Sequence, residues 1–236
     1  MGERGHQRQA RRQDEAYRRL WQAFRSHRTV VDGRHDDFAW RTRSGPFAAA
    51  VIRIPAAALQ PRLDELRTAL DHVSFVRAHP DHFLHVMLQE FGFVSESPMG
   101  RDEISPDRLR EIADSAAELG GEWAFTLKAG GVNAFQDAIF LDIDDRGACF
   151  RLYSRLRQLA AIRTESPFPF VPHLTIAHFS DTAPIGGVPA LLAPWRDRSF
   201  GVVAVDQVEV VTIPVDQTYP ALEPFAVIPL RERDAR

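Results

Sequence analysis

Two of the nine histidines stand in comparable surroundings: His85 in HFLHVMLQ and His173 in FVPHLTIAH. Both stretches are short and apolar, which predicts strands. Residues i and i+2 of a strand share a face. His173 and Thr175 therefore point together while Leu174 and Ile176 enter a hydrophobic layer. His85 and Met87 share a face in the same way, opposite Val86 and Leu88. Two imidazoles facing one groove suit in-line displacement at a phosphodiester, where one group takes a proton from the attacking oxygen and another delivers one to the leaving oxygen. An imidazole with a pKa of about 6.5 can be neutral in one role and protonated in the other near neutral pH, and each transfer contributes about 10²–10⁴-fold. The Thr175 hydroxyl can donate to a non-bridging phosphate oxygen. The scheme uses no metal and no other cofactor.

Competing chemistries find less support. His72, His79, His82 and His85 lack a cysteine partner or a His-Glu-x-x-His pattern, so no metal site is expected. His82, three residues from His85 on the same expected strand, would face away from it. Asp142 and Asp144 alternate with Leu141 and Ile143 and, with Asp145, read as a solvated strand face and turn. Cys149, the single cysteine, sits beside Leu152 and Tyr153 on a helix face as a packed thiol. It excludes an internal disulfide framework and fits a reducing compartment. No GxxxxGK[ST] loop is present; Gly120-Gly121 ends a helix and Gly130-Gly131 reads as a hairpin turn.

The elements that must position the histidines follow from periodicity. FAAAVIRI, Phe47 to Ile54, is a buried strand closed by Pro55. Leu59, Leu63, Leu66 and Leu70 mark a helix, and His82 to Val94 a strand. Ser105 caps a helix with Pro106 at its first position and Leu109, Ile112, Ala116 and Leu119 on one side. Trp123, Phe125 and Leu127 alternate as a strand. The order then recurs: AIFLDID, Ala138 to Asp144, is a strand; residues 148–162 form a helix; Pro172 to Ser180 is a strand. A short helix from Pro189 to Trp195 precedes a long β run, Val202 to Val215, and Phe225 to Leu230 closes the chain. His85 lies 38 residues after Phe47, and His173 lies 35 after Ala138. This reads as an internal duplication, two β-α-β lobes facing each other across a cleft.

FVPHLTI, after an alternating strand and a helix, resembles the second signature of the two-histidine phosphoesterase superfamily, which includes 2′-5′ RNA ligase-like proteins and cyclic nucleotide phosphodiesterases. Members carry one His-x-Thr/Ser-hydrophobic motif per lobe and need no metal. His173, Leu174, Thr175 and Ile176 satisfy the second motif, preceded by Pro172 as is typical. His85, Val86 and Leu88 fit the first, but Met87 stands where the family has Thr or Ser. The resemblance, in element order over roughly residues 45–230, implies an α+β fold of two lobes, each a mainly antiparallel sheet backed by helices, with a central cleft. It implies His85 and His173 as the acid–base pair and Thr175 as an oxygen clamp. His178 is the nearest candidate for the basic residue that often follows the second motif. Phe135 falls where an aromatic often lies near the substrate groove, either stacking on a base or anchoring a loop. The implied substrate is a 2′,3′-cyclic phosphate, a small cyclic nucleotide or a 2′-5′ linkage in RNA, so the implied partner is a nucleotide or RNA end. A thioether cannot donate a hydrogen bond, so Met87 also leaves open a module that binds such an end without turning it over.

Residues 1–44 hold 11 arginines against 6 acidic residues in a chain of 236 residues with a net charge of −3. Tyr17, Leu20, Trp21 and Phe24 fall on one face of a helix from Arg12 to Arg25. That helix either docks by its aromatic stripe or serves as an RNA-binding arm, and Thr29 to Ser44 reads as a connector. Residues 1–44 thus form an appended segment and 45–236 the two-lobed domain. Lys128 is the only lysine; arginine fits phosphate recognition or simply a GC-rich genome. No apolar run is long enough to span a membrane, and the charged N-terminus lacks the apolar core of a signal peptide. A cytoplasmic monomer is expected.

Overall fold

The computed structural model describes residues 3–34, 38–118, 124–161 and 169–231. In chain order the elements are α1 (Glu3–Ser26), β1 (Thr29–Val30), α2 (Phe38–Arg41), β2 (Phe47–Arg53), α3 (Arg62–Leu70), β3 (Val76–Ala78), β4 (His85–Val94), β5 (Glu103–Ile104) and α4 (Pro106–Glu118). They continue with β6 (Phe125–Ala134), β7 (Ala138–Asp144), α5 (Ala148–Leu159), β8 (His173–Phe179), β9 (Ala183–Pro184), α6 (Val188–Leu192), β10 (Ser199–Val205), β11 (Gln207–Ile213) and β12 (Glu223–Pro229).

The unbroken apolar run of β2 has a positional cause. It lies between β4 and β11, with neighbours on both edges and packing on both faces, and such strands lose the polar alternation of a half-exposed one. The sheet runs β10-β6-β7-β8-β4-β2-β11-β12, with β3 added beside β8 and β5 beside β4. Outward from the central β8–β4 junction, β8-β7-β6-β10 mirrors β4-β2-β11-β12. The fold is the expected α+β arrangement of two antiparallel lobes. The lobes interleave along the chain, however: β6 precedes β7 in the second lobe, whereas its counterpart β11 returns from near the C-terminus to the first. The expected continuous run Val202 to Val215 is two strands in different lobes, separated only by Asp206. Strands joined by one residue must be close in space, so the sheet curls until its ends approach. The Leu230 amide donates to the Asp206 carbonyl at 2.7 Å, and the Ala124 amide to that of Arg231 at 2.8 Å.

The helices cover the outer face. Leu63, Leu66 and Leu70 of α3, Leu109 and Ile112 of α4, and Cys149, Leu152 and Leu156 of α5 join Ile52, Val86, Leu141 and Leu174 in the main core. Cys149 is a buried free thiol. A smaller apolar cluster, Ala49, Val51, Val211, Ile213 and Leu222 with Phe47, Phe83 and Met87 against it, lies on the other face of the first lobe.

Several local expectations are corrected. Asp145 is buried rather than solvated; its carboxylate accepts from the amides of Gly147 (2.9 Å) and Cys149 (2.6 Å), closing the start of α5. Asp142 is also largely enclosed, while Asp144 is exposed. Gly130 and Gly131 lie inside β6 at a bulge, not at a turn. Gly131 has φ +75°, and a Cβ there would stand 2.7 Å from the Arg196 carbonyl, so glycine is required. The expected connector contains β1, paired with β9, and the short α2. His82 lies before β4, in a single 3₁₀ turn from Asp81 to Phe83; it is exposed and bonds the Tyr219 carbonyl at 2.9 Å. The helix expected over 148–162 ends at Leu159, with Ala160 as its C-cap; Leu119, Gly120, Gly121 and Trp123 fall outside the described residues, as does the side chain of Glu118.

The N-terminal helix docks by its apolar stripe. Tyr17 and Phe24 are buried and Leu20 and Trp21 half-buried. Phe24 stacks on Phe179 at 6.3 Å, and the Arg196 guanidinium lies over Trp21 at 5.0 Å. Among the described residues no helix is long and apolar enough to cross a membrane.

Candidate functional site

His85 and His173 are the first residues of β4 and β8. These strands meet through one antiparallel register pair, Val86 opposite Leu174. Both of those residues are fully buried, so the residues flanking them, His85, Met87, His173 and Thr175, share the opposite face. Antiparallel register sets His85 across from Thr175 and Met87 across from His173. The two histidines take the diagonal, where Cα atoms in a regular sheet stand roughly 7–8 Å apart. Beyond the junction β8 leaves β4 and pairs with β3, Ala177 opposite Ala78. The histidines stand at this seam on the face turned away from the helical core, inside the curl of the sheet, which forms the cleft.

Each imidazole is held in the same way. His85 Nδ1 lies 2.6 Å from the Phe83 carbonyl, and His173 Nδ1 lies 2.8 Å from the Val171 carbonyl. A carbonyl only accepts, so each Nδ1 carries a hydrogen and each neutral ring presents Nε2 as an unprotonated base. Ring contacts fix the planes. Phe83 meets His85 edge-on at 5.1 Å, and Phe135 meets His173 edge-on at 5.0 Å. Phe135 stacks on Phe140 at 4.4 Å; it is half-buried, so it both anchors its loop and borders the site.

Burial pushes both imidazoles below their usual pKa, outweighing the hydrogen bonds to carbonyls that favour the charged form. His85 comes down to about 4, with the His173 and Arg53 charges adding to the effect. His173 is also lowered, and the Asp137 carboxylate acts against the shift. Both imidazoles are therefore neutral at pH 7.

A bulge at the same offset in each lobe shapes the cleft. In β8, Phe140 pairs with Thr175 and Ile139 with Ala177, leaving Ile176 unpaired. In β4, Val51 pairs with Met87 and Ala50 with Gln89, leaving Leu88 unpaired. The extra residue shifts the side-chain alternation by one. Ala138 pairs with His178 and shares a face of β7 with Phe140, so His178 joins His173 and Thr175. His178 Nδ1 is 3.1 Å from Nε2 of His79, and its ring stacks on Tyr219 at 5.8 Å. Burial and the neighbouring His178 hold His79 well below its usual pKa. The counterpart of His178 in the first lobe is Glu90.

The structure thus brings His85, His173, Thr175, His178 and Phe135 to one region, with Met87 in the place that pseudo-symmetry pairs with Thr175. Sequence reading missed Arg53, which pairs with His85 in the β2–β4 register and is tied to Glu209 at 2.7 Å and to the Leu222 carbonyl at 3.1 Å. Its place as the last residue of β2 was the available signal. It also missed Tyr219, for which no local pattern exists. Asp142 pairs with His173 in the equivalent register; burial lifts its carboxyl to about 7 against the pull of Asn133 and Arg196. No group of three or more metal-ligating side chains converges among the described residues.

The model of the 2′-5′ RNA ligase superfamily matches residues 55–216. The chain belongs to this superfamily. Among solved structures, protein TT0787 of Thermus thermophilus superposes with a TM-score of 0.55 at 18% identity, over 79% of this chain and 99% of the other. E. coli LigT complexed with 3′-AMP gives 0.55 at 17% identity, over 78% and 98%. The same E. coli protein complexed with NADP+ gives 0.53 at 18%, over 80% and 99%. At such identity the likeness establishes the LigT-like fold. No curated protein matches the sequence. The superfamily match begins after β2, so α1 and the segment following it lie outside it.

Proposed function

We propose that this member of the 2′-5′ RNA ligase superfamily is a metal-independent phosphoesterase acting on a 2′,3′-cyclic phosphate, a small cyclic nucleotide or a 2′-5′ linkage at an RNA end. The observation that carries the reading is the matched pair of imidazoles in the cleft, each with Nδ1 bonded to the carbonyl two residues upstream and Nε2 left for the substrate. A phosphate anion bound between them raises the affinity of one imidazole for a proton. The neutral ring then removes a proton from the attacking oxygen while the protonated ring supplies one to the leaving oxygen. One histidine acts as acid and the other as base, and the roles exchange between hydrolysis and ligation. Thr175 donates to a non-bridging oxygen, His178 adds positive charge when protonated, and Phe135 offers an edge to the base. Nucleotides bound to E. coli LigT, 3′-AMP and NADP+, support this ligand class.

Incubation of the pure protein with 2′,3′-cyclic AMP in EDTA tests the reading. Turnover that persists in EDTA and is lost in both His85→Ala and His173→Ala is expected. Turnover retained in either variant overturns the assignment. Tight binding without turnover would favour a binding module, the reading that Met87 supports.

A further inference from the structure

At the start of β8 the N-terminal helix makes its contact through the Tyr17 hydroxyl. Asp142 opposes His173 in the β7–β8 ladder, so the next rung would join Ile143 to Pro172. Proline has no N–H and cannot complete it. The missing bond is the one to the Ile143 carbonyl; in the other half of the rung the Tyr17 hydroxyl bridges the strands, accepting from the Ile143 amide at 3.0 Å and lying 2.5 Å from the Pro172 carbonyl. Gln13 Nε2 donates to the Ile143 carbonyl and to the Tyr17 hydroxyl at 3.1 Å. With the Ile143 carbonyl already served by Gln13, the one hydroxyl proton of Tyr17 goes to Pro172.

We infer that Tyr17 is a positioning residue for His173, its hydroxyl bridging the Ile143 amide and the Pro172 carbonyl across a rung that proline leaves incomplete and so fixing the Val171–Pro172–His173 backbone whose Val171 carbonyl holds the His173 ring. The helix α1 is in this respect part of the site and not only a docked extension. Further contacts keep the hydroxyl in place. Asn133 donates to the Tyr17 carbonyl at 3.0 Å, and Asn133 also bonds Asp142 at 2.9 Å. Burial keeps the phenol protonated far above neutral pH, so the donor is constant across the working range. Among the described residues His85 has no such support from α1. The two histidines are therefore alike in their own bonds and unlike in what stands behind them.

The kinetic consequence rests on the phosphoesterase reading, but the positional one does not, and the test separates them. In the full chain, Tyr17→Phe keeps the ring and removes the hydroxyl. Long-range ¹⁵N–¹H spectra report the tautomer of each histidine. The expected result is a loss of the pure Nδ1–H tautomer at His173 with His85 unchanged, together with at least a fivefold fall in kcat at little changed KM. Phe24→Leu loosens the same helix without touching the hydroxyl, and should lower the melting temperature while leaving the His173 signature intact. Pro172→Ala supplies an N–H for the Ile143 carbonyl and so gives the rung a direct bond independent of Tyr17, so Tyr17→Phe should disturb His173 less in that background. An unchanged His173 spectrum in Tyr17→Phe, an equal change in Phe24→Leu, or an equal effect with and without Pro172 would overturn the inference. An absence of turnover in every variant, with the spectral changes present, would instead remove the function proposed above and leave the positioning intact.

Discussion

On the proposed two-histidine mechanism, replacing Met87 by threonine should raise the rate of phosphodiester turnover. Pseudo-symmetry equates Met87, paired with Val51 on β2, with Thr175, paired with Phe140 on β7. A hydroxyl at position 87 would give the first lobe the phosphate-oxygen donor that the second already has. A well-placed donor of this kind is worth about 2.7–4 kcal/mol in the transition state, or about 10²–10³ in kcat. Arg53, the nearest cation in register, is committed to Glu209 and to the Leu222 carbonyl and is not placed to substitute for it. Met87 packs against the apolar cluster around Val51 and Val211, so shortening it costs roughly 1–2 kcal/mol of stability. Valine at 87 has nearly the shape of threonine without the hydroxyl and isolates that cost. Steady-state turnover of 2′,3′-cyclic AMP, with denaturant melts of each variant, gives both quantities. A rise in kcat of roughly tenfold or more in Met87→Thr, with no rise in Met87→Val, is expected. Equal kcat in the two variants would refute the reasoning that an oxygen donor is missing from the first lobe.

Three further outcomes are expected. The plot of kcat/KM against pH should peak on the acid side of the ordinary histidine value: free enzyme carrying one proton on the pair is most abundant between the lowered values, of which that of His85 is about 4, and is lost as pH rises. A flat profile, or one climbing toward pH 8, would contradict it. Phe24→Ala, at a side chain 1% exposed, should cost about 3–5 kcal/mol in urea unfolding; a loss below about 1 kcal/mol would mean that α1 is not docked through that ring. Asp145→Ala leaves two first-turn amides of α5 without their carboxylate and should cost about 1–2 kcal/mol, measured in the same way.

Local chemistry made much of the molecule readable. The alternation of AIFLDID, the leucine spacing of α3 and the Ser105-Pro106 helix start each follow from neighbouring residues, and so did the matched offsets of His85 and His173. What escaped depends on partners distant in the chain. The bulges at Leu88 and Ile176, which bring His178 round to the cleft face, are defined against β2 and β7 and leave no mark in their own strands. Asp145 resembled a solvated turn residue because the amides it serves become available only when α5 forms. The crossing at Asp206 was hidden because β10 and β11 are both good strands, and nothing in either says which lobe it joins. Tyr219 lies outside any periodic segment and gains its place from the rings of His79 and His178.

The one-residue passage at Asp206 also bears on how the chain can be divided. Each lobe borrows strands from the far side of the sequence: the first needs β11 and β12, and the second holds β6 before the helix-bearing repeat has begun. A cut between residues 137 and 138 would give two fragments, neither with a complete sheet, although the recurring β-α-β order suggests that it falls at a natural boundary. Mixed together, such fragments could regain structure only by exchanging strands, so the whole belt must assemble as one cooperative unit.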